Sequence, residues 1–149
     1  MNIENNPYKF YFSVAAVAFL TIDAMSDIFA RILIAEESFG LAVNEHFYYA
    51  VVQPMGTTFL LLPYLALGWI CASLARLKYA EASIVMFCIG FTIFGLLSVL
   101  GYRESNFLMQ EEYWTASIFA VAFLPFKAIP WLIALLIARF IIARQRNET

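Results

Sequence analysis

Four long apolar runs, with most of the charge outside them, decide what this chain can become. They cover about residues 10–35, 51–75, 80–102 and 115–143. Each meets the roughly 20 residues that a helix needs to cross the hydrocarbon core of a bilayer. No water is present there to satisfy backbone N–H and C=O groups, so a spanning segment must be a helix or part of a closed barrel. A barrel would need shorter segments of strict alternation, and the sequence has none. The runs therefore predict an all-α, integral membrane four-helix antiparallel bundle. Residues 1–149 form one domain, because Arg76-Leu77-Lys78-Tyr79 is too short a link for anything but a hairpin and no repeat or low-complexity linker intervenes.

Charge content agrees with that compartment. Asp, Glu, Lys and Arg make up 13% of the chain, about half of the roughly 25% usual in soluble domains. Nine Lys and Arg against eleven Asp and Glu leave no basic excess, which excludes a nucleic-acid partner. The first run is the least apolar, since it holds Asp23, Asp27 and Arg31. Two central Asp cost about 5–7 kcal/mol on insertion scales, and the Leu, Ile, Phe and Val of the run return about 4–7 kcal/mol. It spans only if neighbouring helices receive its charges; otherwise it lies in the interface as an amphipathic helix. Ala16-Val17-Ala18 resembles a cleavage site, but the apolar core before it is short and the pattern continues past it, so a cleaved signal peptide is not expected.

Basic residues set the expected orientation. Lys9, Arg76, Lys78, Arg139, Arg144 and Arg146 collect on one side, and Glu36, Glu37, Glu45, Glu104, Glu111 and Glu112 on the other with Arg103. The positive-inside rule then predicts N-in/C-in, with both termini cytoplasmic and, for a bacterial source, the inner membrane. Residues 36–50 and 103–114 become outer loops.

Four charged residues fall well inside the runs, Asp23, Asp27, Arg31 and Lys127, while Glu81 and Arg139 stand near run ends. Such residues usually face a bundle interior and mark structural pairs, ion sites or partner sites. Asp23, Asp27 and Arg31 follow i, i+4, i+8 spacing and share one helix face, with Asp27 and Arg31 in the favourable order for a pair. Rise per residue puts Asp23 and Lys127 at one depth, so a second pair is expected between them. Pro63, Pro125 and Pro130 interrupt helices near that depth, and Tyr64 brings a hydroxyl. Broken helices beside ionisable groups are how transporters build sites.

Other chemistry finds little support. His46 lies in the first outer loop, where a helical haem ligand cannot be; the surrounding Glu36, Glu37 and Glu45 suggest a solvated acidic loop rather than a metal site. Cys71 and Cys88 form no C-x-x-C and read as small buried apolar residues. Gly68 with Ala72, and Cys71 with Ala75, form small-xxx-small steps suited either to packing inside the bundle or to oligomerisation. Glu81 complements a helix N-terminus. No phosphate loop, nucleophile elbow or zinc-protease motif occurs. The expected function is that of a non-catalytic membrane protein without cofactor, associating with another membrane protein or itself as an accessory or immunity-type subunit. The alternative is a small proton- or ion-coupled carrier or channel using the Asp23/Lys127 pair.

Overall fold

A computed structural model describes residues 6–145, with the side chain of residue 145 and Arg146, one of the basic residues used for orientation, outside that range. The chain forms α1 (Pro7–Leu33), α2 (Phe39–Val52), α3 (Pro54–Arg76), α4 (Ala80–Gln110), α5 (Trp114–Ala122) and α6 (Leu124–Gln145), with no strand among the described residues. Four stretches are long and apolar enough to cross a membrane: Pro7–Leu33, Pro54–Arg76, Ala80–Gln110 and the combined Trp114–Arg144.

Local chemistry explains the boundaries. The side chain of Asn6 caps α1 by accepting from the Lys9 N–H at 3.0 Å, and Pro7 follows at the first helical position. Ser38 caps α2. After α3, Lys78 N–H donates to Ala75 O at 2.9 Å and Tyr79 N–H to Leu74 O at 3.4 Å. After α4, Glu112 N–H reaches Met109 O at 3.1 Å and Tyr113 N–H reaches Leu108 O at 2.8 Å. Both are Schellman endings whose left-handed position holds a charged residue, at φ 70° for Lys78 and 64° for Glu112, where glycine is usual.

The core is built where α1, α3, α4 and α6 meet. Every fourth residue of α1 from Tyr11 through Ala15, Phe19 and Asp23 to Asp27 is buried, so the polar stripe continues an apolar one. On α4, Phe87, Gly90, Phe94, Ser98, Gly101 and Ser105 turn inward at steps of three or four. Phe19 packs edge-on against Tyr64, and Tyr64 against Phe94. Glycines allow the closest approaches. A Cβ on Gly68 would stand 3.1 Å from the carbonyl oxygen of Tyr11, and one on Gly90 would stand 2.5 Å from Leu67. The Gly68 and Ala72 step therefore serves packing between α1 and α3 within the chain.

Four features differ from the sequence expectations. Residues 36–50 are not a loop, since α2 occupies most of them. The third run continues as helix to Gln110, well past residue 102. The fourth is two helices joined at Phe123, and Pro125 stands in the first turn of α6, where its missing N–H breaks no interior bond. Pro63 and Pro130 do lie inside helices. Cys71 is buried, but Cys88 is exposed, because it points away from the inward face of α4.

Candidate functional site

The polar stripe of α1 is the natural start, because its charges need partners in an apolar interior. Arg31 Nε donates to Asp27 Oδ1 at 3.1 Å, the pair expected from their spacing. The same guanidinium extends to Glu37 at 3.4 Å and Glu45 at 3.3 Å, and lies over the Tyr49 ring at 5.6 Å. One cation thus gathers a carboxylate from its own helix, one from the turn and one from α2.

The second oxygen of Asp27 receives a group that sequence reasoning placed in solvent. His46 is buried at 8% exposure, and its Nδ1 donates to Asp27 Oδ2 at 3.0 Å. A carboxylate only accepts, so Nδ1 carries the hydrogen in this contact. The signal available in the sequence was spacing: Ala42, Glu45, His46 and Tyr49 share one face of a helix, a face that disappears if residues 36–50 are read as loop. Helix α2 is held to α1 by these contacts of His46 and Glu45.

Asp23 lies one turn deeper and is 8% exposed. Its carboxylate accepts from Tyr102 Oη at 2.7 Å. The expected Asp23–Lys127 pair is absent. Lys127 Nζ instead meets Glu104 Oε2 at 3.5 Å, with both side chains about half exposed on the outside of the bundle. The physical reason is rotational: shared depth does not bring two side chains together when one helix turns its residue outward. Tyr102, which the sequence reading did not single out, takes the role assigned to Lys127.

Asp23 also lines a small pocket with Pro63, Tyr64, Ser98 and Pro125. Its volume is about 20 Å³, room for about one water. Tyr64 and Ser98 hydroxyls face each other at 3.4 Å. The tertiary structure therefore brings together Asp23, Pro63, Tyr64 and Pro125 in one place, and Asp27 with Arg31 in the next turn. Lys127 and Pro130 lie outside this group, both exposed.

Toward the opposite end, the interior is apolar. Leu67, 0% exposed, packs near Gly90, and Leu135 approaches the same glycine. Beyond that layer the Tyr11 and Ser83 hydroxyls bond to each other, and Arg139 Nε donates to Ser73 Oγ at 2.6 Å. The described polar groups thus form two separate sets with hydrocarbon between them. Among the described residues, no three His, Cys, Asp or Glu side chains stand together in an arrangement that could hold a metal ion.

Neither a family model, a curated protein nor a solved structure matches this chain. Its function has to be argued from its own residues.

Proposed function

We propose that the chain is an integral membrane four-helix antiparallel bundle, oriented N-in/C-in in a bacterial inner membrane, and that it acts without catalysis by associating with another membrane protein or with itself. The observation that carries this reading is α2. At 14 residues it is too short to span, and its inner face is fastened to Asp27 and Arg31. Its outer face leaves Phe47, Tyr48, Val51 and Val52 exposed in one continuous stripe. An apolar stripe on a short helix held rigidly at one end of a bundle suits a docking edge. The charges of α1, meanwhile, are occupied within the chain and offer little to a carrier cycle.

Site-specific crosslinking tests the association. In a cysteine-free background, Tyr48→Cys and Val52→Cys carrying a short crosslinker should capture a second polypeptide in native membranes, and Val85→Cys on α4 should not. Monomers alone from the α2 positions, under gentle extraction, would overturn the reading.

The pocket beside Asp23 favours a second reading, a proton- or ion-coupled carrier in which Asp23 exchanges with one water between Pro63 and Pro125. Lys127 has no part in it. Vesicles holding the purified protein should then show a pH-dependent flux lost in Asp23→Asn, and equal flux in the variant would exclude that mechanism.

A further inference from the structure

A groove of about 660 Å³ runs along the junction of α1 and α4, floored by side chains such as Ile22, Met25, Phe29, Leu33 and Val99. Arg103 lines it toward one end, with Phe107 a turn further on. Its guanidinium lies over the Phe107 ring at 5.5 Å. Among the described residues no carboxylate comes within 4.0 Å of it, whereas Arg31 and Lys127 both have acidic partners.

We propose that this groove binds one acyl chain of an anionic bilayer phospholipid, with the headgroup phosphate on Arg103. The inference rests on the membrane-spanning reading given above. Two observations select this occupant. The first is charge: an unneutralised guanidinium at the edge of an apolar surface is matched by a phosphate anion, which Arg binds through paired N–H donors. The second is length. From Ile22 to Leu33 the groove follows α1 for about 16 Å, close to half of the ~30 Å hydrocarbon core. A single leaflet's chain fills that length, while a partner's spanning helix would need about twice it. Arg103 stands eight residues, about 12 Å, past Gly95, which packs against Ile22; it is thus about a turn short of the end of α1, with its guanidinium over the Phe107 ring.

A second groove of about 600 Å³ opens on the other side of the Arg103 and Phe107 ridge. Its polar end holds Lys127 and Glu104, which neutralise each other. Arg103 lines that groove as well, so the two share its guanidinium, and variants that fill only the first groove, at Val99 or Met25, tell them apart.

Native mass spectrometry of the full chain, reconstituted with equal phosphatidylglycerol and phosphatidylcholine of identical acyl chains, tests the proposal. One phosphatidylglycerol should be retained over phosphatidylcholine by about fivefold, the discrimination expected of a single cation between a net anionic headgroup and one whose choline offsets the same phosphate. Arg103→Gln, an exposed substitution, should bring the ratio to about one. Val99→Trp, or Met25→Trp should the first fail to fold, should remove the retained lipid by filling the groove. Lys127→Met should leave the preference intact. Equal retention by the unaltered chain, a preference that survives Arg103→Gln, or one lost only with Lys127→Met would each overturn the site. Carbonate extraction separates the two levels of failure: a chain released from membranes refutes the spanning reading, while one retained without lipid preference refutes the groove alone.

Discussion

At the scale of the residue, what matters is which buried acid is matched by which donor. Asp27 is satisfied twice, by Arg31 and His46, whereas Asp23 has the single short bond from Tyr102. Removing that hydroxyl while keeping the ring leaves a buried carboxylate without its donor. Tyr102→Phe should therefore cost about 1–3 kcal/mol, measured by chemical unfolding in mild detergent. Tyr64→Phe should cost less, because its hydroxyl contact at 3.4 Å is long. The reverse order would show that the Asp23–Tyr102 bond is not what holds the carboxylate. Arg31 illustrates a different point. With Asp27, Glu37 and Glu45 all on one guanidinium, it organises three parts of the chain at once. Such a buried cation adds specificity of arrangement more than net stability, since removing the ions from water is itself costly.

Elements show how local rules were kept or broken. Helix α2 rests on few inward side chains, with Ala42 and His46 its only buried residues. Its attachment is correspondingly local. His46→Ala should free it without unfolding the bundle, and the readout is maleimide labelling of Ala42→Cys, a position at 0% exposure. A faster labelling rate, by roughly 5- to 150-fold, corresponds to losing about 1–3 kcal/mol of anchoring. An unchanged rate would mean that the Arg31 contacts suffice alone. The two Schellman endings carry the opposite lesson, for they work with an unfavoured residue. Left-handed backbone costs a side chain about 1–2 kcal/mol, and glycine gives part of that back in unfolded-state entropy. Lys78→Gly and Glu112→Gly should each raise stability by up to about 1 kcal/mol in the same unfolding assay, and a loss would show that the charge or side chain at that turn is itself required.

For the molecule as a whole, close approach between helices is what the glycines supply. Gly68→Leu would push α1 from α3 against the Tyr11 carbonyl and Ala15. It should cost roughly 1–3 kcal/mol or prevent folding, and surviving protein should elute earlier on size exclusion. Gly40→Ala is the matched control: a Cβ there meets nothing within 4 Å, and the helix gains up to about 1 kcal/mol of propensity. Equal behaviour of the two would contradict the packing. The same whole-molecule view separates the two polar sets. The layer around Leu67, Gly90 and Leu135 lies between the Asp23 pocket and the Tyr11–Ser83 and Arg139–Ser73 bonds.

The sequence by itself determined the class and the number of long helices, because hydrophobic length and the absence of charge are properties of consecutive residues. It also determined the Asp27–Arg31 pair, since both members belong to one helix and its spacing places them on one face. What only the tertiary structure decided was every contact between helices. Depth along a helix follows from counting residues, but rotation about its axis follows from packing against neighbours. So Asp23 and Lys127 share a depth in the count and yet separate, with Lys127 turned outward to Glu104 and Tyr102 taking its place. His46 was hidden for a related reason: the segment holding it is apolar and charged in mixture, and its helical face acquires meaning only when Asp27 and Arg31 stand opposite it.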